Sequence, residues 1–180
     1  MLDTFRSAMS IQDFPQIIVA DLDHDYISSL KNALGDFRGV KTMEIGPQQL
    51  ERGGIVDAVF LTLPQAEKWN ARPILHQAQV LPTNPNESDD ANMTPYVIAG
   101  VATSETDPSD SPVFDLKLVV RCILLAARDH NRMCDSIDNE IRRVGVWPPM
   151  IGMERLPPNI AAEAIVSTYE SVLNSVDSTE

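Results

Sequence analysis

A short apolar strand that turns through one glycine into a proline-headed helix constrains this chain more than any other segment. Residues 144–147 form the strand pattern, Gly152 lies in the turn, and Pro157 and Pro158 precede the helix pattern. A strand that feeds a helix N-terminus presents free backbone N–H groups and the positive end of the helix dipole. The segment therefore predicts an α/β unit with a candidate site for a phosphate or a carboxylate beside Gly152.

Strand patterns alternate with helix patterns along most of the chain. The continuous apolar run at 17–20 is typical of a strand that is buried on both faces. The other strand patterns occupy 40–45, 56–63, 96–102 and 144–147, and apolar residues at helical spacing occupy 27–37, 112–131 and 161–173. This alternation predicts the fold class α/β: a three-layer α/β/α sandwich around a mostly parallel, mixed central sheet.

The length and the 43% hydrophobic content predict one core, and so a single domain over residues 1–180. Residues 1–13 lack periodicity and are expected to form a loose N-terminal arm, and 174–180 a polar tail. In between, we expect 65–81 to contain a short helix broken at Pro73, and 83–94 to be an exposed loop.

The charge balance argues against two classes of partner. The chain has 14 basic and 26 acidic residues and a formal net charge of -12. A negative field repels the phosphates of nucleic acids and of anionic membranes, so neither is an expected partner. The longest apolar run, around 118–127, is interrupted by Arg121 and is too short to span a bilayer.

Cysteine and histidine usage predicts no metal and no disulfide framework. The two cysteines lie in unrelated settings, and His24, His76 and His130 share no metal-ligand spacing. The first residues lack the apolar segment of a secretory signal. We therefore expect a cytoplasmic protein without a cofactor.

Parallel sheets bind ligands at the carboxyl ends of their strands. The candidate ligand-binding residues that this rule brings to one rim are Asp21, Gly46, Thr62, Ile151, Gly152, Met153 and Arg155. Each of them ends or follows a strand pattern, and Arg155 could pair with a phosphate. None is predicted to be catalytic in the leading interpretation below.

The order of these elements resembles a macro domain, the ADP-ribose-binding α/β/α module, over residues 17–173. Residues 57–60 resemble the D-A-[IV]-V strand of that family, and 96–99 and 112–131 resemble the next strand and helix. Residues 148–156 stand at the position of a glycine-rich phosphate loop, and 158–162 match the start of the helix that follows it. The resemblance implies ADP-ribose contacts from Ile151, Gly152 and Met153, from the Gly46–Pro47 corner, and from Thr62.

The resemblance is incomplete where the family holds its ligand. Pro47 stands where the family has an aspartate that contacts adenine, and a proline side chain cannot accept a hydrogen bond. No glycine occurs between Gly54 and Gly100, although the first phosphate loop of the family is glycine-rich. Glu154 and Arg155 replace glycines in the second loop. We therefore expect a divergent, non-catalytic module with a narrowed cleft, which binds ADP-ribose or a related nucleotide weakly or acts through a protein partner.

Two alternatives stay open. One is a hydrolase of ADP-ribosyl or phosphate esters, for which Asp21 is the candidate base. Asp21 and Asp23 also resemble the start of a haloacid-dehalogenase-type phosphatase with Asp89 and Asp90 as a metal-binding pair, but the pattern favours a helix N-cap cluster. The other alternative is a structural or assembly subunit without a small-molecule ligand, marked by an exposed apolar patch or a stable oligomer.

Overall fold

The computed structural model describes residues 14–52, 54–62, 66, 77–83, 94–100 and 111–177. The predicted N-terminal arm at 1–13, the helix break at Pro73 and the pair Asp89–Asp90 lie outside the described residues. All statements below concern the described ranges.

These ranges form a six-stranded sheet and four α-helices. The strands are Gln16–Ala20 (β1), Val40–Met43 (β2), Ala58–Thr62 (β3), Gln79–Pro82 (β4), Tyr96–Gly100 (β5) and Arg143–Val146 (β6). The helices are His24–Leu34 (α1), Pro47–Arg52 (α2), Pro112–Met133 (α3) and Pro158–Asp177 (α4). Short 3₁₀ turns occupy Ile137–Asn139, Pro148–Ile151 and Met153–Arg155.

The strand order in the sheet is β2-β1-β6-β3-β5-β4. All neighbouring strands pair in parallel except β4, which runs antiparallel to β5 at one edge. A parallel connection needs a crossover, which the helices supply. The predicted α/β sandwich with a mostly parallel, mixed sheet is confirmed.

Successive residues of each strand enter two separate cores, as the alternation of side chains across a sheet requires. In β1, Ile17 and Val19 pack with α1, α3 and α4 on one face. Ile18 and Ala20 pack on the other face, which α2 covers with Leu50. Because both faces are covered, the central strands are apolar throughout, and this explains why their continuous apolar runs were readable from the sequence.

The contact between α2 and the sheet depends on a glycine in β6. A Cβ atom at Gly145 would lie 2.8 Å from Cδ1 of Leu50. The absence of a side chain at Gly145 therefore allows the short helix to approach the centre of the sheet.

Helix termini follow the residue types that precede and end them. Ser111 caps α3 by accepting a hydrogen bond from the N–H of Phe114 at 3.3 Å, and Pro112 follows, as predicted. Helix α1 ends at Leu34, whereas the sequence predicted an end at Phe37. It ends there because Gly35 adopts a positive φ of 58° and its N–H donates a hydrogen bond to the carbonyl oxygen of Lys31. Helix α4 continues to Asp177, so the predicted polar tail begins later than residue 174.

Two elements were missed by the sequence analysis. Strand β4 has only Val80 and Leu81 as apolar residues, and the proline that follows them is typical of a strand end. At the outer edge of a sheet a proline is tolerated, and Pro82 pairs with Tyr96. Helix α2 was interpreted as a simple corner at Gly46–Pro47. In the structure Pro47 is its first residue, a position at which proline loses no hydrogen bond.

The helices of the described ranges do not match the requirements of a membrane-spanning segment. None combines the length and the apolar character that crossing a membrane requires.

Candidate functional site

The seven predicted ligand-binding residues all lie at the carboxyl edge of the sheet. Asp21 follows β1, Gly46 closes the segment after β2, and Thr62 ends β3. The remaining four belong to the segment 147–156 after β6, which we call the β6–α4 loop. Helices α1, α3 and α4 begin at the same edge because each follows a parallel strand or its loop.

The β6–α4 loop consists of two 3₁₀ turns that meet at Gly152. This glycine has a φ of 72° and a ψ of 14°, which is the left-handed conformation. A residue with a Cβ atom adopts it at a cost. A direct turn from the strand into the helix was expected, and the structure instead inserts two short turns between them.

These turns use four of the backbone N–H groups of the loop. The N–H groups of Met150 and Gly152 donate to carbonyl oxygens of the first turn, and those of Arg155 and Leu156 donate to carbonyl oxygens of the second. The residues that have no N–H group at all are Pro148, Pro149, Pro157 and Pro158. An anion at this loop would therefore depend on the N–H groups of Ile151, Met153 and Glu154.

The side chains of the loop divide into a buried and an exposed set. Ile151 and Met153 belong to the core cluster beneath α3 and α4, and Met153 is fully buried. Because both side chains are buried, any ligand contact at these two positions would come from the backbone. Glu154 and Arg155 are exposed and could both reach a ligand, the first with a negative and the second with a positive charge.

The aspartates after β1 build the start of α1. The Oδ1 atom of Asp21 accepts a hydrogen bond from the N–H of Asp23 at 3.0 Å. Asp23 is the N-cap and accepts from the N–H of Tyr26 at 3.0 Å. These bonds confirm the N-cap interpretation and leave Asp21, which is half-buried, with one oxygen bound locally.

Tyr26 is a residue of this edge that the sequence analysis missed. Its hydroxyl oxygen is buried without a hydrogen-bond partner in the described part of the chain. Burial, followed by the negative charges of Asp21 and Glu154, raises the pKa of Tyr26 to about 12. The phenol is therefore neutral at pH 7 and lies close enough to sense both carboxylates.

Asp115 is the second missed residue, in the first turn of α3. It is 8% exposed, and neither carboxylate oxygen has a hydrogen-bond partner among the described residues. α3 also packs against both 3₁₀ turns of the β6–α4 loop. An acidic residue on the apolar stripe that contains Leu116 and Val119 was the signal that could have identified it.

Thr62 and Gly46 contribute less than expected to an accessible rim. Thr62 is only 5% exposed and already has an interaction within the structure. At Gly46 an added Cβ atom would lie 3.6 Å from Cδ1 of Leu22, which is ordinary contact. A side chain therefore fits at Gly46, whereas the positive φ of Gly152 favours glycine.

The exposed charges of the edge are predominantly negative. The Nδ1 atom of His24 lies 2.8 Å from Oε2 of Glu44, and this hydrogen bond, followed by the negative charge of Glu44, raises the pKa of His24. Loss of hydration lowers the pKa of His24, and Asp25 and Asp23 raise it by smaller amounts. In the described ranges, no group of three or more histidine, cysteine or acidic residues is arranged to hold a metal ion.

A cysteine–histidine pair lies at the opposite, amino edge. The Sγ atom of Cys134 is 3.2 Å from Nε2 of His130, but Nε2 is also 2.9 Å from the carbonyl oxygen of Asn139. A carbonyl oxygen only accepts, so Nε2 carries a hydrogen and cannot take the thiol proton. Partial burial, then Glu140 and Asp135, raises the pKa of Cys134. The pair does not form an activated nucleophile.

Comparison with known proteins adds no assignment to this geometry. No protein-family description and no curated protein matches the chain.

Proposed function

We propose that this chain is a divergent, macro-like, non-catalytic binding module that holds ADP-ribose or a related nucleotide weakly at the carboxyl edge. The observation that carries the proposal is the left-handed Gly152 between two 3₁₀ turns, where a parallel sheet delivers its loop to the start of α4. The diphosphate would lie against the backbone of Ile151, Gly152 and Met153. Arg155 would supply the one exposed positive charge of that loop.

Weak binding follows from the hydrogen bonds and charges of this loop. Four of its N–H groups donate to carbonyl oxygens of the loop itself, so a phosphate would have to compete with these carbonyl oxygens. Glu154 and Asp21 add negative charge beside the position of the phosphates. We expect a dissociation constant on the order of 1 mM, which corresponds to roughly 4 kcal/mol.

Titration of the ¹⁵N-labelled protein with ADP-ribose tests this function. The amide signals of 151–155 should shift, and Arg155→Ala should weaken binding by about threefold to tenfold because an exposed charge pair is lost. Arg121→Ala, at an exposed position of α3, is the matched control and should bind like the wild type. Absence of shifts in this loop at about 10 mM ADP-ribose would remove the nucleotide from the proposal.

A hydrolase is the second candidate, and the position of Asp21 favours it. Its carboxylate lies at the carboxyl edge, near enough to Tyr26 to raise the pKa of the phenol. Release of ADP-ribose from a modified protein, lost in Asp21→Asn while the fold is retained, would support a base at this position. No turnover by a folded wild-type protein would dismiss it.

An assembly subunit is the third candidate, supported by exposed apolar side chains at the end of α3. Met133 is 84% exposed and Ile137 is 65% exposed. A concentration-dependent oligomer in light scattering that Met133→Lys disrupts would favour this candidate; a monomer at all concentrations would count against it. For each candidate we propose a cytoplasmic location, in line with two free thiols.

A further inference from the structure

A basic groove lies along the outer edge of the sheet, away from the site described above. It has a volume of about 390 Å³ and lies between the C-terminal end of α1 and the edge strand β2. Its apolar lining comes from Leu34, Phe37 and Val40, and its positive charges from Lys31, Arg38 and Lys41. The groove combines an apolar floor with a charged margin.

The backbone of β2 is available for pairing at this groove. β2 is the terminal strand of the sheet and pairs only with β1 among the described residues. The carbonyl oxygens of Gly39 and Met43 accept from N–H groups on the β1 side, at 2.9 and 3.1 Å. In a parallel strand, the backbone N–H and C=O groups of successive residues point alternately to the two neighbouring strand positions. The backbone N–H and C=O groups of Val40 and Thr42 therefore face outward, away from β1.

The charge of the groove is opposite to the charge of the protein. The chain has a formal net charge of -12, yet three cations and one acidic residue, Asp36, line the groove. Lys31, Arg38 and Lys41 have no ion-pair partner in the part of the chain that the structure describes. A negatively charged occupant is favoured, and a second copy of this chain would place β2 cations against β2 cations.

The mixture of hydrogen-bonding groups distinguishes a peptide from a free phosphate. The groove presents outward N–H groups from β2 together with outward carbonyl oxygens, and the negative end of the α1 dipole lies beside it. A phosphate accepts hydrogen bonds and leaves carbonyl oxygens unpaired, whereas an extended peptide satisfies both kinds of group. We propose that this groove binds an extended acidic segment of a partner protein, which adds to β2 as a further parallel or antiparallel strand.

Binding of a fluorescein-labelled peptide of alternating Glu and Val, measured by anisotropy, tests the charge preference. We expect binding that weakens as salt increases, and a peptide of alternating Lys and Val that binds at least about tenfold more weakly. The double variant Arg38→Glu with Lys41→Glu should lower the affinity for the acidic peptide by about tenfold or more. Lys117→Glu, at an exposed position of α3, is the control and should leave the affinity unchanged.

Hydrogen exchange tests the strand addition separately from charge. The amides of Val40 and Thr42 should exchange more slowly when the acidic peptide is bound. Thr42→Pro removes an outward N–H and should abolish binding, while Thr42→Val keeps that N–H and should bind normally. Thermal melts show whether each variant remains folded.

Several results would overturn the proposal. They are equal affinity for the acidic and basic peptides, unchanged affinity in the Arg38→Glu, Lys41→Glu variant, or no slowing of exchange at Val40 and Thr42. Displacement of the peptide by a few millimolar inorganic phosphate would identify a simple anion site instead. If the acidic peptide does not bind, the proposal is also wrong, and Lys41 is then explained as a charged residue that protects the exposed edge strand from pairing. None of these results depends on nucleotide binding at the carboxyl edge.

Discussion

The two edges of the sheet differ in how the fold uses their polar side chains. At the amino edge, Asp57 accepts hydrogen bonds from the backbone N–H groups of Arg142 at 3.0 Å and Arg143 at 2.9 Å. Asn131 binds both backbone groups of Ile141 there, at 2.9 and 2.7 Å. These side chains join β3, β6 and the end of α3, so they are accounted for by stability.

At the carboxyl edge, two buried polar side chains lack such partners. The hydroxyl of Tyr26 and the carboxylate of Asp115 have no hydrogen bond among the described residues. An unsatisfied buried group costs free energy, whereas a satisfied one does not. The difference indicates that polar side chains of the amino edge stabilise the fold through hydrogen bonds that Tyr26 and Asp115 do not make.

The largest effect is expected where the carboxyl edge does contribute to the core. Met153→Ala should lower the free energy of unfolding by about 2–5 kcal/mol, because a fully buried side chain is replaced by a cavity. Urea unfolding measures this, and Met133→Ala, at an 84% exposed position, should change it little. Similar effects of the two substitutions would mean that Met153 is not anchored in the core.

The next effect concerns the satisfied carboxylate of the amino edge. Asp57→Ala should lower the free energy of unfolding by about 1–3 kcal/mol, because the N–H groups of Arg142 and Arg143 lose their acceptor. The ion pair with Arg143, at 3.7 Å and partly exposed, adds little to this value. Urea unfolding at pH 7 gives the answer, and an unchanged midpoint would contradict the structural role of this edge.

The unsatisfied carboxylate of the carboxyl edge should behave in the opposite way. Asp115→Asn is expected to raise the free energy of unfolding by about 1 kcal/mol, since it removes a buried charge without hydrogen-bond partners. The helix dipole opposes this gain by roughly 0.3–1 kcal/mol, because Asp115 lies in the first turn of α3. Urea unfolding of this variant beside Asp57→Ala compares the two edges directly. A loss of stability in Asp115→Asn would show that the carboxylate serves the fold.

The extent of burial explains which strands and helices could be predicted from the sequence. Strands β1 and β5 were predicted because continuous apolar runs need two covered faces, and α3 because its apolar stripe is regular. Strand β4 could not be predicted, since an edge strand has few buried residues and Pro82 opposes strand pairing in isolation.

The candidate site was predicted at the level of the edge but not of its side chains. The carboxyl-end rule predicted that Asp21 and Gly152 lie at one edge of the sheet, and the structure has both there. The positive φ of Gly152 is known only from the structure. Whether Met153 lines a cleft or fills a core depends on tertiary packing, which a pattern of single residues does not contain. The isolation of Asp115 is a property of its neighbours in space, so only the structure reveals it.

The smallest expected effect is the contribution of His24, an exposed residue of the carboxyl edge, to the pH dependence of stability. Its pKa in the folded protein is raised above the ordinary value of 6.5, first by the hydrogen bond with Glu44 and then by the charge of that residue. Because the folded pKa is the higher one, the stabilising contribution is present below pH 6.5 and is lost as the pH rises through the folded pKa. Both side chains are largely exposed, so salt should weaken the effect.

An NMR titration of the His24 ring, in the wild type and in Glu44→Gln, measures this pair. The variant should return the pKa of His24 towards its ordinary value, because the hydrogen bond and the charge of Glu44 are the two largest causes of the shift. If His24 titrates identically in both proteins, the pair does not persist in solution, and the carboxyl edge has even fewer satisfied polar groups than the structure gives it.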